Sequence, residues 1–251
     1  MLEINKLSKT FNIGSDNEIK LFSNLDLKFQ ENKCTAIIGP NGCGKSTLLN
    51  MIAGSIVNDS GNIIVNNKNI TRLREEERAI YIGRVYQDSS MGVSPSLSIL
   101  ENMSLADKKG ESFSLRRLVK KDRIQGYRDL LSQLDLGLEN MLNTKVKFLS
   151  GGQRQSLSLI MATMKHPDLL LLDEHTAALD PKTSKVVMEK TMELIEKHSI
   201  TTIMISHNMK DAIKYSHRII MLDNGQVILN KPSNQVLEDE LIDIYTKKLV
   251  G

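Results

Sequence analysis

The stretch "IIGPNGCGKSTLL", residues 37–49, decides the fold. It contains the pattern G-x-x-x-x-G-K-[S/T], preceded by an apolar run and followed by a helix-like segment. Gly42 and Gly44 let the backbone turn so that successive N–H groups, together with the helix N-terminus, surround phosphate oxygens. Lys45 is then expected to reach the β- and γ-phosphates, and Ser46 to ligate Mg²⁺. A chance glycine turn, the alternative, is disfavoured by the strand and helix on either side. The predicted nucleotide-contacting residues of this loop are Gly39, Pro40, Asn41, Gly42, Cys43, Gly44, Lys45, Ser46 and Thr47.

The thiol of Cys43 lies within this loop at the predicted helix N-terminus. Thiol pKa values tend to fall in such positions, and thiolate reactivity rises with them. We therefore expect a reactive thiol whose alkylation blocks nucleotide binding and which bound nucleotide protects.

Outward from the loop, strand-like and helix-like segments alternate, which predicts an α/β fold with a largely parallel sheet. Three short apolar runs, "CTAIIG", "DLLLLDE" and "TTIMISH", are bounded by turn or charged residues and suit strands buried on both faces. In contrast, "LFSNLDLKF" alternates apolar and polar residues, and "SGNIIVNNKNI" follows a glycine turn, so both favour an antiparallel flank. Asn224-Gly225 predicts a hairpin, and a helical tail follows it.

Between Gln87 and Leu149 the apolar positions recur at helical spacing among many charges, which predicts an inserted helical lobe. The charged stretch 107–123 within it favours a solvated helical face, with contact to anionic headgroups or a membrane subunit as the alternative.

Composition limits the class of protein. The 251 residues carry 33 basic and 30 acidic side chains, and this balance gives no argument for a nucleic-acid partner. The two cysteines, Cys34 and Cys43, form no disulfide framework and no zinc-binding pair. No apolar run approaches the roughly 18 residues that a membrane span requires. We therefore expect a cytoplasmic protein that is neither secreted nor membrane-spanning.

Asp173 and Glu174 end the apolar run "LLLLDE", which places two carboxylates at the carboxyl edge of the predicted sheet, where ligands of open α/β sheets bind. Asp173 is expected to orient Mg²⁺ through its water shell, and Glu174 to polarise the water that attacks the γ-phosphate. Ordinary solvated acids after a strand are the alternative, which a phosphate loop in the same chain disfavours.

The ordered series "GPNGCGKST", "VYQD", "LSGGQRQ", "LLLLDEH", "AALDP" and "ISH" resembles the ATP-binding cassette ATPases of ABC transporters over essentially the whole chain. The resemblance implies a P-loop NTPase fold with a RecA-like core, an antiparallel β flank and an inserted helical lobe. It also implies one ABC ATPase domain over 1–251, with 1–87 and 165–251 as the catalytic core and β flank, and 88–164 as the helical lobe.

The same resemblance assigns roles to single residues. Gln87 would sense Mg²⁺ and couple to membrane subunits, His207 would contact the γ-phosphate, and Phe11 would stack on adenine. Each has a simpler alternative, namely a surface glutamine, a structural histidine and a core phenylalanine. Asp180, in the loop after Glu174, would be one of the nucleotide-binding residues. The signature "LSGGQ" would complete the nucleotide site of the opposite subunit, while Ser150 would also cap the following helix. The signature residues concerned are Ser150, Gly151, Gly152 and Gln153.

Two departures from the common motif stand in "DEHTAALD", where His175 replaces a proline and Ala177 a serine. With "QDSSMGVSPSLSILENM", they resemble a bacterial importer branch associated with tryptophan and tyrosine.

The resemblance implies ATP and Mg²⁺ as cofactors, a homodimer or pseudo-symmetric dimer around two ATP molecules, and uptake of a small solute. The expected partners are integral membrane permease subunits and an extracytoplasmic solute-binding protein, at the cytoplasmic face of the cell membrane. An exporter ATPase and a soluble single-cassette ATPase in an assembly role are the alternatives.

Overall fold

The computed structural model describes residues 1–111 and 118–249. The central part of the charged stretch 107–123 therefore lies outside the described residues. The chain divides into two compact units, which are described separately below. The first unit comprises Met1–Arg78 and the chain from Ser199 onward, and the second unit comprises Ala79–His198.

The secondary structure follows in chain order. The first segment of the first unit contains β1 (Leu2–Phe11), β2 (Ile19–Phe29), β3 (Cys34–Ile38), α1 (Lys45–Ala53), β4 (Ser60–Val65), β5 (Lys68–Asn69) and α2 (Glu75–Arg78). The second unit contains β6 (Ile82–Val85), α3 (Ile99–Asp107), α4 (Ile124–Ser132), α5 (Gly151–Thr163), β7 (Leu169–Asp173) and α6 (Pro181–Lys197). The chain then returns to the first unit with β8 (Thr201–Ile205), α7 (Met209–Tyr215), β9 (Arg218–Asp223), β10 (Gln226–Pro232) and α8 (Glu238–Leu249).

The first unit contains two of the three predicted buried strands, β3 and β8. The strands beside the phosphate loop in this unit follow the order β10-β9-β3-β8, in which β3 runs parallel to both β8 and β9. Every residue of β3 and of β8 is buried, as expected for strands covered on both faces. The Asn224-Gly225 turn joins β9 to an antiparallel β10, and both turn residues have positive φ. The predicted parallel strands and the hairpin are therefore confirmed.

The antiparallel flank is also confirmed. Strand β1 pairs antiparallel with β2 on one side and with β4 on the other, and β5 continues the sheet beyond β4. Its inward-facing residues are among the most buried of the chain, including Ile4, Phe22 and Phe29. The alternation seen in the sequence of β2 places Leu25, Leu27 and Phe29 on the buried face.

A buried arginine ties the end of α1 to the segment that follows the flank. The guanidinium of Arg78 donates hydrogen bonds to the carbonyl oxygens of Met51 and Ile52, in the last turn of α1, and to those of Thr71 and Leu73. Helix carbonyls in the last turn lack intrahelical partners and carry partial negative charge, so a cation stabilises them. Burial lowers the pKa of the Arg78 side chain. This contact fixes the helix that begins at the phosphate loop.

The second unit combines a parallel strand pair with the predicted helices. Strands β6 and β7 are parallel, with Val85 opposite Leu172 at their carboxyl ends. Helices α3, α4 and α5 all lie within 88–164, the range predicted for the helical lobe, and the lobe's status as a separate division of the domain stays a prediction. Among the described residues, no helix combines the length and the apolar character that a bilayer span requires.

Candidate active site

The phosphate loop connects β3 to α1 with the predicted strand–loop–helix arrangement. Its backbone is held from outside by the hairpin of β9 and β10, because the Gly225 N–H donates to the Cys43 carbonyl oxygen at 3.1 Å. Gly39 lies so close to β9 that a Cβ atom there would approach the Leu222 carbonyl oxygen to 2.1 Å. Contacts with neighbouring main chain therefore fix the conformation of the loop. Position 39 requires glycine because the backbone of β9 leaves no room for a Cβ atom.

Lys45, the cation of the loop, is 5% exposed. Its ammonium group donates to the carbonyl oxygens of Gly39 at 2.8 Å and Pro40 at 2.9 Å. The Lys45 side chain thus packs against the backbone of the phosphate loop. Ser46 and the neighbouring Asn41 and Gly42 are exposed, so the hydroxyl and backbone groups of this segment are accessible to a ligand.

The expected reactive thiol at Cys43 is not supported. The side chain is 3% exposed, and its sulfur lies 4.0 Å from the Lys45 Nζ. Burial raises the pKa of the Cys43 thiol, and the opposing attraction of the Lys45 charge does not reverse the shift. The argument from the helix N-terminus omitted the desolvation of the thiol, which is the larger effect here.

His207 and Phe11 lie in the first unit with the phosphate loop. His207 follows β8, whose last residue Ile205 is paired with Ile37 of β3, so His207 and the loop emerge from neighbouring strands at the same sheet edge. The His207 side chain is exposed. Phe11 is half-buried at the end of β1, with the Lys9 ammonium 5.3 Å from its ring centroid, and is therefore no core phenylalanine.

The second unit brings Gln87, Asp173 and Glu174 to one sheet edge. Gln87 follows β6 by two residues, Asp173 ends the parallel neighbour β7, and Glu174 comes next. The Gln87 side chain is exposed, whereas Asp173 and Glu174 are half-buried. Glu174 has a φ of 47°, a left-handed backbone conformation that is unfavourable for a non-glycine residue. Such strain recurs at functional sites, where the surrounding structure enforces it.

The signature sequence "LSGGQ" forms the start of α5, and the predicted cap is confirmed. The Ser150 hydroxyl accepts from the Gln153 N–H at 3.2 Å, and the Gln153 side chain accepts from the Ser150 N–H at 3.1 Å. Gly151 and Gly152 form the first turn of the helix. Ser150 is exposed, so the capped helix presents its N-terminus to solvent. Asp180 similarly caps α6 by accepting from the Thr183 N–H at 3.1 Å.

These motifs match those of a known family. The family model described as "ABC transporter" matches residues 22–177. A tyrosine transport ATP-binding protein of Clostridioides difficile (strain R20291) is 43% identical over 248 residues, which are 98% of each chain. The phosphonates import ATP-binding protein PhnC of Alcaligenes faecalis is 33% identical, over 98% of this chain and 88% of that protein. The chain belongs to the ABC transporter family.

Solved ABC cassettes have the same fold. The dimeric post-hydrolysis structure of the ATP-binding cassette MJ0796, bound to ADP and Pi, superimposes with a TM-score of 0.78 at 28% identity, covering 93% of this chain and 99% of that one. The cassette MJ1267 in its ADP conformation gives a TM-score of 0.83 at 24% identity, covering 100% and 98%. The predicted P-loop NTPase fold of the ABC ATPase type is therefore confirmed, and the chain is an ATP-hydrolysing subunit.

Sequence reasoning missed the side chains that support residues 86–90, the glutamine loop around Gln87. An Arg84 nitrogen lies 3.3 Å from Asp173 Oδ2, and its guanidinium carbon lies 4.4 Å from the centroid of the Tyr86 ring. On the other side, Gln155 of α5 donates to the Tyr86 carbonyl oxygen at 2.9 Å. The segment before Gln87 is thus bonded both to Asp173, at the end of β7, and to α5, the signature helix that begins with "LSGGQ". No motif in the sequence marks Arg84 or Gln155 for these roles.

The predicted magnesium ligands are chemically suited to that ion. Ser46, Gln87 and Asp173 offer a hydroxyl, an amide and a carboxylate oxygen, which are the hard donors that Mg²⁺ prefers. The donor set of the cassette therefore fits the ion.

Proposed function

We propose that this chain powers the uptake of a small solute, with an amino acid such as tyrosine as the favoured substrate class. Phosphate chemistry rests on one observation, the phosphate loop with its buried lysine at the same sheet edge as His207. Import is supported by the phosphonates import relative. The amino-acid substrate class is supported by the tyrosine transport relative and by an Archaeoglobus fulgidus protein named "Probable branched-chain amino acid transport ATP-binding protein LivF", which is 30% identical to this chain.

The residues of the two units have complementary tasks in this proposal. The backbone N–H groups of residues 41–47 and the Lys45 ammonium bind the β- and γ-phosphates. Bound Mg²⁺, held by Ser46, Gln87 and Asp173, would neutralise phosphate charge. Glu174 accepts a proton from the attacking water, and His207 donates a hydrogen bond to the γ-phosphate. Phe11 offers its ring face to adenine, as its half-buried position allows.

We further propose that two copies share each nucleotide, with the phosphate loop of one copy facing the signature helix of its partner. The exposed, capped N-terminus of α5 supports this role, because free N–H groups and the helix dipole attract anions. Asp180 would lie close to the partner. The MJ0796 cassette, which resembles this chain, has been solved as a dimer.

The partners follow from the family. We propose that the dimer binds integral membrane permease subunits at the cytoplasmic face of the membrane, and that a solute-binding protein delivers the solute from outside. Nucleic acid is not expected as a partner. The transport and import relatives support the permease, whereas the solute-binding protein rests on the import proposal alone.

The catalytic assignment is tested with Glu174→Gln. The amide retains the shape of the side chain but does not accept the proton, so ATP binding should persist while turnover falls at least about a hundredfold. Binding of a fluorescent ATP analogue and steady-state phosphate release measure the two quantities. Glu189→Gln, a change of the same type on α6, is the control and should leave turnover unchanged. Turnover of Glu174→Gln within a few-fold of the parent would reject the assignment.

The shared site is tested by mixing two defective subunits. Lys45→Ala and Ser150→Arg should each abolish ATP-dependent dimers when present in both copies. In the heterodimer both defects face each other across one site, and the second site is intact. Nucleotide-dependent cross-linking of differently tagged subunits should therefore recover in the mixture. If folded subunits show no recovery of cross-linking, a shared site is contradicted.

The direction of transport and the substrate are tested separately, by measuring uptake of labelled tyrosine into reconstituted vesicles that contain the permease.

A further inference from the structure

The loop from Glu174 to Asp180 contains a buried histidine directly after the proposed catalytic carboxylate. His175 is 2% exposed, and its Nε2 lies 3.2 Å from the Thr191 hydroxyl oxygen on α6. Thr191 is itself fully buried. The loop is therefore attached to the middle of α6, well beyond the Asp180 cap at the beginning of that helix.

The hydrogen-bonding pattern determines which group donates. The Thr191 hydroxyl carries a single hydrogen, and it donates this to the Val187 carbonyl oxygen at 2.7 Å. Thr191 can then only accept from His175, so Nε2 carries a proton. Burial lowers the pKa of the His175 imidazole to about 4 and thereby favours the neutral ring. The bond is thus directional, with the loop donating to the helix.

The loop that this bond restrains is strained at its first residue. Glu174 has a positive φ, and the next turn is closed by the Ala177 N–H donating to the Glu174 carbonyl oxygen at 2.9 Å. A left-handed non-glycine residue costs roughly 1–2 kcal/mol and persists only where neighbouring contacts enforce it. The hydrogen bond from His175 to Thr191 is such a contact, because it is buried and is made by the residue directly after Glu174.

The same histidine borders a cavity of about 410 Å³. Gln87, Gly151 and Leu179 also line it, so the glutamine loop, the signature helix and the loop after Glu174 all meet there. A shift of the His175 ring would therefore change the packing around this cavity, which three of the proposed functional segments of the second unit line.

We propose that His175 is a positioning residue for hydrolysis, and that its hydrogen bond to Thr191 holds Glu174 in its strained, productive conformation. The sequence resemblance places a proline at this position in other cassettes. A proline restricts the loop through its own φ, whereas this chain achieves the restriction through a side-chain anchor. The inference rests on the proposed role of Glu174.

The test compares Thr191→Val with Thr191→Ser. Both retain a small side chain, but only serine keeps the hydroxyl that accepts from His175. Thr191→Val and His175→Ala should each lower kcat about tenfold, which corresponds to one lost hydrogen bond, with KM for ATP changed less than about twofold. The double variant should show no further loss, because both changes remove the same bond. Thr191→Ser should keep kcat within about threefold of the parent.

Two results would overturn the inference. Turnover of folded Thr191→Val equal to that of Thr191→Ser would show that the bond does not position Glu174, and additive losses in the double variant would show that the two residues act independently. If His175→Ala does not fold, the Thr191 pair decides alone. Glu174→Gln is measured in parallel: full activity there refutes the catalytic role proposed for Glu174, whereas an inactive Glu174→Gln beside an unaffected Thr191→Val refutes only the role of His175.

Discussion

The phosphate loop of the first unit and the loops of the second unit are held in different ways. The former is fixed by main-chain contacts, in which Gly225 bonds to Cys43 and Gly39 lies against Leu222. The latter are fixed by side chains, such as Gln155 bonded to the Tyr86 carbonyl and His175 bonded to Thr191. A loop held by main-chain contacts requires glycine at the positions of close approach, but the identity of its other side chains matters less. A loop held by side chains depends on a few residues that are distant in sequence.

The largest expected effect comes from adding one methyl group to the backbone-held loop. Gly39→Ala would place Cβ 2.1 Å from the Leu222 carbonyl oxygen, at a φ of 146°. We expect a loss of about 3 kcal/mol in the free energy of unfolding, from overpacking and backbone strain together. Gly42→Ala is the matched control, because φ there is 80° but no atom lies within 4 Å of the added Cβ. It should lose only about 1 kcal/mol in the same urea titration. Equal losses would show that close approach is irrelevant.

The next effect concerns the carboxylate that organises the helical part of the second unit. Asp107 accepts from Arg123 at 2.8 Å and from Tyr127 at 2.9 Å, and forms an ion pair with Lys165 at 3.1 Å. Burial alone would raise the pKa of Asp107, but these three partners outweigh it and hold the value at about 2. The ionised form is therefore more stable in the folded chain than in the unfolded one.

This shift fixes the sign of a pH dependence. The stabilisation by Asp107 is complete above the unfolded pKa of 3.8 and is lost as the pH falls towards 2. Asp107→Asn should thus be less stable than the parent by about 2 kcal/mol at pH 7, and the gap should narrow to about 1 kcal/mol at pH 3. Asp135→Asn, at an exposed ion pair with Lys190, should change stability by less than about 0.5 kcal/mol. A gap for Asp107→Asn that is constant with pH would contradict the argument.

A smaller effect is expected where one side chain supports the glutamine loop. Gln155→Leu removes the hydrogen bond that α5 donates to the Tyr86 carbonyl oxygen. We expect a loss of about 1–2 kcal/mol and faster hydrogen exchange in residues 86–90. Gln125→Leu, on the exposed face of α4, is the control and should stay within about 0.5 kcal/mol of the parent. Unchanged exchange in residues 86–90 would mean that Gln155 does not restrain this loop.

The same contrast explains what the sequence could predict. The strand–loop–helix arrangement from β3 to α1, the parallel strands and the Ser150 cap depend on local patterns of glycine, apolar residues and capping groups, and all were predicted correctly. Arg84, Gln155 and Thr191 act through contacts between residues far apart in sequence, so their partners are defined only in the folded chain. The error at Cys43 has the same origin, because burial by distant segments outweighs the local effect of the helix N-terminus.

The smallest expected effect is at Cys43, whose side chain lies inside the phosphate loop. If backbone N–H groups and Lys45 provide the binding, the thiol is dispensable, since its sulfur is 4.0 Å from the Lys45 Nζ and largely buried. Cys43→Ala should therefore bind a fluorescent ATP analogue within about threefold of the parent, a difference of less than about 0.7 kcal/mol. Lys45→Ala, in the same assay, should lose binding. Because burial raises the thiol pKa, alkylation of Cys43 in the folded chain should also be slower than that of a free cysteine. A tenfold loss of affinity in Cys43→Ala would show that a side chain, and not only the backbone, shapes this loop.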